Sequence, residues 1–188
     1  SLVLRAEHLF VDPSQPFTAR LEQTYAPDIT PVGPLSAKLS IRPATVAAAP
    51  GVTRHLADYA DVSRDLRDTP LRVDPDLNGA PDGDYFIEVA VSDSVRELGS
   101  ARMRITVVAK LSTRLDALTR NAARAPTDLM ASILYPADYI RRVERGLIAV
   151  GNFNITTELA AAETAVAGHG SRVTSHGHFE RHYLLVPA

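Results

Sequence analysis

Hydrophobic and polar residues alternate most regularly between Asp82 and Val108. Tyr85, Ile87, Val89 and Val91 share one parity, and Phe86, Glu88, Ala90 and Ser92 take the other. After a turn, Ala101, Met103, Ile105 and Val107 alternate with Arg102, Arg104, Thr106 and Val108. A period of two is the signature of a half-buried strand, so this stretch predicts a β-hairpin launched by the Asp82-Gly83 turn. Upstream, Phe17, Ala19, Leu21, Gln23 and Tyr25 alternate with Thr18, Arg20, Glu22 and Thr24. Leu35, Ala37, Leu39 and Ile41 then alternate with Ser36, Lys38 and Ser40, beyond a Pro-rich turn over 27–34. Both patterns suit a sheet that is wet on one side. Leu2 to Leu9 predicts a first strand, ended by Asp12-Pro13, and Leu71-Arg72-Val73 a short one before the acidic loop Asp74–Gly83. Residues 43–69 fit either a strand carrying its own loop or a short helix.

After Lys110 the period becomes helical. Ser112 is placed to cap a helix carrying Leu111, Leu115, Leu118 and Ala122 that stops at Pro126. Thr127 or Asp128 is placed to cap a second, with Leu129, Met130, Ile133 and Leu134. Pro136 suits the first turn of a third segment, which presents Tyr139, Ile140 and Val143 and ends at Gly146. Asn154 suits the cap of a fourth, Ile155 to Ala167, ended by Gly168. A loop then leads to an apolar run, Phe179–Val186, that reads as a strand in need of a partner. The fold class expected is an antiparallel β-sandwich of immunoglobulin or fibronectin type, with six or seven strands over residues 1–110. An α-helical connector over 111–168 and a loop with a terminal strand over 169–188 follow it. Parallel sheets need helical crossovers, and none is predicted before residue 111.

The chain has 188 residues, enough to bury a full core. Its 20 Lys and Arg nearly balance 22 Asp and Glu, so it carries no electrostatic footprint for nucleic acid or an anionic membrane. There is no cysteine, which excludes disulfides, thiol nucleophiles and thiolate metal sites. No apolar run reaches the roughly 20 residues of a spanning helix. The opening SLVLRAEHLF has neither an initiator Met nor the features of a signal peptide, and reads as a mature or trimmed start. Asn154-Ile155-Thr156 is a formal glycosylation sequon.

No Gly-x-Ser-x-Gly elbow, phosphate-binding glycine loop or His-Glu-x-x-His motif occurs, and Ser132, Ser171 and Ser175 lack the flanking glycines of an elbow. Catalytic residues and cofactors are therefore assigned to none of this chain. The metal candidates are His176, His178 and His182, which with His169 and Glu180 offer imidazole and carboxylate ligands of the kind zinc or nickel takes. A Gly/Ser-rich loop is also where solvated histidines collect, and that reading is preferred. Asp74, Asp76, Asn78, Asp82 and Asp84 have the oxygen-rich spacing of a calcium loop, but Pro75 and the missing twelfth-position Glu break it, which favours a structural turn. Tyr135, Tyr139 and Phe153 suit either an aromatic binding surface or, at helical spacing, the small core of the connector; the second is preferred.

With LYPADYIRRVERGLIAVGNF and FERHYLLVPA, the chain resembles the N-terminal accessory region of bacterial α/β-hydrolase esterases of the feruloyl-esterase and polyhydroxyalkanoate-depolymerase-like kind. The run Arg181, Tyr183, Leu185, Val186-Pro187 is similar to the opening of such hydrolases. The resemblance implies a non-catalytic, secreted or periplasmic module, shaping access to the active site or mediating oligomerisation. Its partner would be a catalytic domain in cis or in a neighbouring subunit. The interface candidates are Tyr135, Tyr139, Phe153, Tyr183 and Leu185. The alternative is an independent extracellular binding module for polysaccharide or protein.

Overall fold

A computed structural model describes residues 1–24, 30–44, 54–149 and 154–168. The chain divides into two units, Ser1–Lys110 and Leu111–Ala188. The first unit holds β1 (Leu2–Ala6), β2 (Phe10–Val11), β3 (Ala19–Gln23), β4 (Leu35–Pro43), β5 (Arg54–Val62), β6 (Leu71–Val73), β7 (Gly83–Ser92) and β8 (Glu97–Val107). They form a three-stranded sheet, β1-β3-β6, and a five-stranded sheet, β2-β8-β7-β4-β5. Leu4, Ala19, Leu21 and Val73 of the small sheet share one buried cluster with Leu39, Ile41, Ile87, Val89, Met103 and Ile105 of the large one. Two sheets closed over a common core make a β-sandwich.

Register shows why the alternating residues fill that core. Ile41 faces Ile87 and Ile87 faces Met103, while Leu39 faces Val89 and Val89 faces Ala101. Each such stripe spans three strands, and each large aliphatic side chain buried is worth roughly 1.5–3 kcal/mol. Gly83 begins β7 with φ of 147°, a conformation that side chains disfavour, which explains a glycine at the launch of the hairpin.

The sandwich differs from the expected six or seven antiparallel strands: eight occur among the described residues, and one pair is parallel. The anticipated strand from Leu2 to Leu9 breaks at the exposed Glu7 and His8. Beyond the break the chain leaves the small sheet, and β2 lies along β8 with Phe10 opposite Thr106. The Thr106 and Val108 amides donate to the Leu9 and Val11 carbonyls at 2.8 and 2.9 Å. A parallel pair needs a long connection, and here nearly the whole sandwich lies between its two strands. The open segment 43–69 contains β5. Its alternation is blurred by a bulge, because Leu39 pairs with Ala57 while Ser40 pairs with His55, leaving Leu56 as the extra residue.

In the second unit, α1 (Leu111–Ala122) begins directly after Lys110, which has φ of 55°. Ser112 therefore lies inside the first turn rather than at the cap. α2 (Thr127–Glu144) begins after Pro126 with no side-chain cap, so Thr127 and Asp128 are helical too. Pro136 does not restart a helix but sits inside α2. Although its ring removes one backbone bond, Ile133 before it and Tyr139, Ile140 and Val143 after it share a buried face that a break would misalign. α2 ends where the Gly146 amide donates to the Val143 carbonyl and the Leu147 amide to that of Arg142, with Gly146 at φ of 70°. This paired closure needs a left-handed residue after the last turn. Asn154 caps a third helix, α3 (155–168), its Oδ1 accepting the Thr157 amide at 3.2 Å. α1 and α3 are joined by Arg114, whose Nε donates to both carboxylate oxygens of Glu163 at 3.1 and 3.2 Å. The anticipated terminal strand lies outside the described residues.

Ile87 is fully buried at the centre of the large sheet, whereas Glu88 faces outward 3.8 Å from Arg42. Ile87→Ala should cost roughly 2–5 kcal/mol and Glu88→Ala about 0.5 kcal/mol or less in chemical denaturation. Equal losses would mean that the strand parity is misassigned. Gly146→Ala should cost about 1 kcal/mol in the same measurement, because alanine must then occupy the left-handed region.

Candidate functional site

The connector's tyrosines divide between surface and interior. Tyr135 is 47% exposed and Tyr139 is buried, with ring centroids 6.4 Å apart. Phe153, Tyr183, Leu185, His176, His178 and His182 lie outside the described residues. Among the described residues no three His, Asp or Glu side chains come together as metal ligands, and no helix is long and apolar enough to cross a membrane.

The acidic loop spends its carboxylates on its own backbone and on neighbouring strands. Asp76 accepts the Asn78 amide at 3.0 Å, and Asp82 accepts the Ala109 amide at 2.9 Å. Asp74 accepts from the Thr18 hydroxyl at 2.7 Å and from Arg72 at 3.1 Å, and those bonds hold its carboxyl below the usual carboxylate range. Asp84 accepts from Arg104 and from the Thr106 hydroxyl, both at 2.6 Å. The carboxylates point to separate partners rather than converging, the arrangement of a braced turn.

Strand pairing also places the residue types of a hydrolase triad side by side. Ser40 is opposite His55, and His55 Nε2 lies 3.2 Å from the Asp58 carboxylate. No hydrogen bond joins Ser40 to His55, however, and the nitrogen a serine would need already faces Asp58. Asp58 is largely exposed, so nothing desolvates the pair as general-base chemistry requires.

The most organised surface is the outer face of the large sheet. With Tyr85 and Ile87 turned inward, Phe86 must face outward, opposite Arg42 on β4 and Arg104 on β8. The Arg42 guanidinium lies 5.6 Å from the Phe86 ring centroid and that of Arg102 lies 4.9 Å from it. Each such contact at an exposed site is worth about 0.5–1 kcal/mol. Arg104 pairs with Asp84 and Arg42 sits near Glu88, which also stands directly opposite Arg102 across the strands without forming an ion pair with it. A guanidinium stacked on a ring keeps its in-plane N–H donors, so the arrangement presents a preoriented fork to a carboxylate. Sequence reasoning placed Phe86 on this face without assigning it a role. The available signal was an aromatic residue on a polar face, opposite a strand carrying arginines at alternate positions.

At the tip of the hairpin, the Asp93 carboxylate accepts the amides of Val32, Val95 and Arg96 at 2.9, 2.8 and 2.9 Å. These bonds tie the segment before β4 to the β7–β8 turn and hold the carboxyl below its ordinary range. A carboxyl depressed by folding contributes stability above its unfolded pKa, near 3.9, and loses it as pH falls through the lower folded value. In Asp93→Asn one acceptor becomes a donor facing an amide. The variant should therefore melt below the wild type at neutral pH, with a gap that is constant down to about pH 5 and closes below about pH 4. A gap independent of pH would show that the carboxylate charge is immaterial.

No known family description matches the chain, and no curated protein does. Among solved structures, 58% of the chain is similar to 93% of the CARDB domain of the PF1109 protein from Pyrococcus furiosus, determined in complex with di-metal ions, at 13% identity and a TM-score of 0.38. Similarly, 56% of it matches 91% of the PKD domain of an M14-like peptidase from Thermoplasmatales archaeon SCGC AB-540-F20, at 12% identity and a TM-score of 0.34. Neither is an α/β-hydrolase esterase. The β-sandwich assignment rests on the strand order and register described above.

Proposed function

We propose that the chain is a non-catalytic accessory module of immunoglobulin type that docks a partner protein through the outer face of its large sheet. The immunoglobulin assignment is supported by topology. β4 lies beside β7 rather than beside β6, β8 follows β7 at the other side, and β5 extends the sheet past β4, as the C, F, G and C′ strands do in that fold. The docking role is carried by one observation, the Arg42–Phe86–Arg102 stack, in which the Arg102 guanidinium rests on the ring and forms no ion pair. Aromatic and arginine side chains dominate the energetics of protein interfaces because they bury large area while keeping directional donors. The sequence resemblance makes the catalytic domain of a secreted esterase the first partner to test, in cis or from a neighbouring subunit.

Two measurements bear on this reading. The isolated chain should hydrolyse short p-nitrophenyl esters at the buffer rate, and Ser40→Ala should change nothing; turnover abolished by a serine-directed phosphonate would overturn the non-catalytic assignment. In calorimetric titration with a purified feruloyl-esterase catalytic domain, Arg102→Glu should weaken binding at least about tenfold, or about 1.4 kcal/mol. Binding indifferent to Arg102→Glu and Phe86→Ala would move the interface elsewhere.

A further inference from the structure

The acidic loop between β6 and β7 holds an Asn-Gly pair, Asn78-Gly79, and no other asparagine of the chain precedes a glycine. The Leu77 carbonyl accepts the Ala80 amide at 2.9 Å, which closes a turn around the pair. Gly79 has φ of 78° and Asn78 is not among the left-handed residues, the signature of a type II turn. Leu77 and Ala80 belong to the sandwich core, while Asn78 and Gly79 are exposed. The backbone of Asn78 is held at both ends. Its amide donates to Asp76 Oδ1 at 3.0 Å, and its carbonyl accepts from Nη1 and Nη2 of Arg54, both at 3.3 Å. Nη2 also donates to the Asp76 carbonyl at 2.9 Å, so the guanidinium at the start of β5 holds two peptide planes of the loop. Neither the Asn78 carboxamide nor the Gly79 amide makes a hydrogen bond among the described residues.

We propose that Asn78-Gly79 is a deamidation site that Arg54 restrains, independently of the docking role given to the Phe86 surface. In the reaction the Gly79 backbone nitrogen attacks Asn78 Cγ, the bond from Cγ to the carboxamide nitrogen breaks, and ammonia leaves with the proton lost by the Gly79 amide. Water then opens the cyclic imide at either carbonyl, giving aspartate, or isoaspartate with the main chain routed through the side chain. Nothing is oxidised or reduced. The surroundings are open, with no atom within 4 Å of where a Cβ on Gly79 would stand, so water reaches the imide. The turn is the obstacle. A type II turn holds ψ of its second residue near about +120°, which directs the Gly79 nitrogen away from the Asn78 Cβ. Ring closure therefore requires the peptide plane between the two residues to rotate, and that rotation carries the Asn78 carbonyl off Arg54. Release of Arg54 at the start of β5 thus exposes the site to a one-way change. Conversion adds a carboxylate to a chain whose formal net charge is −2. Isoaspartate also lengthens the main chain within the turn, so the Arg54 contacts that tie the edge strand to the loop do not re-form as before.

The test is peptide mapping by mass spectrometry of the full chain aged at mildly alkaline pH, with isoaspartate confirmed by enzymatic methylation. The wild type should convert at residue 78 at least about tenfold more slowly than the same chain aged in denaturant, because the turn must first open locally. Arg54→Ala should convert at least about threefold faster than the wild type, and Arg54→Lys, which keeps the charge and loses the two-point fork, should fall between them. Asn78→Gln should gain no acid at that position, since glutamine must close a larger ring, and Asn121 inside α1 should stay unconverted in every folded form. Hydrogen exchange of the β7 amides over 86–91 shows whether each variant keeps the sandwich. If Arg54→Ala has lost that protection, Arg54→Lys decides. The proposal is overturned if the wild type converts as fast as the denatured chain, if no folded form converts while the denatured chain does, or if the deciding Arg54 variant converts no faster than the wild type.

Discussion

The parity of β7 is the constraint on which both faces of the large sheet depend. β7 pairs along most of its length with β4 on one side and β8 on the other, and its inward residues are nearly or completely buried. A slip of one residue would carry Phe86 and Glu88 into the core and move Ile87 and Val89 to solvent, so the register has no close competitor. The outer face follows without further specification. Once Ile41 meets Ile87 and Ile87 meets Met103, Arg42 and Arg102 are committed to positions beside Phe86, and only their rotamers remain free to vary. The surface proposed for docking is thus held by the same contacts that hold the sandwich closed.

The edges of the two sheets are treated differently, as their exposure requires. β2 covers the outer edge of β8, and it can do so because the chain changes sheets within a few residues of leaving β1. β5 closes the opposite side with a bulge, a left-handed Asp61 and the polar residues Arg54, His55 and Asp58, all of which discourage another strand from adding to it. Arg54 also reaches back to the carbonyls of Asp76 and Asn78, and the Tyr59 hydroxyl accepts the Asp74 amide, so the edge strand is tied to the acidic loop as well as to β4.

The strands with one wet face were legible because their alternation is itself the physical cause of their placement. Leu35 to Ile41, Tyr85 to Val91 and Ala101 to Val107 were assigned both as strands and to the correct face. What escaped was information carried by pairing. The parallel contact of β2 joins residues nearly a hundred positions apart, and two apolar residues do not announce a strand. The bulge in β5 breaks the period on which the reading relies. Proline favours the first turn of a helix, which makes Pro136 read as a start, yet the buried face shared by residues on both sides of it outweighs the lost bond. The Arg42–Phe86–Arg102 stack and the alignment of Arg20 opposite Arg5 and Arg72 depend on register across strands, so each arginine can be assigned to a wet face but not to its neighbours.

A division of labour between charges links these observations. Acids slightly outnumber bases, yet both outer sheet faces present arginines. Several of the acids are committed to the backbone. Asp12, Asp76, Asp82 and Asp93 each accept main-chain amides in turns, and Asp65 binds both the amide and the guanidinium of Arg67, which lowers its pKa to about 2. A carboxylate that braces a turn points its oxygens at amides and has few lone pairs left for a partner. Strand arginines divide: Arg54 spends its donors on the Asp76 and Asn78 carbonyls and Arg104 on the Asp84 carboxylate, whereas Arg20 and Arg102 extend from exposed positions on the outer sheet faces. A chain near neutrality can therefore brace its loops with carboxylates while arginines such as Arg20 and Arg102 stay exposed on the outer sheet faces.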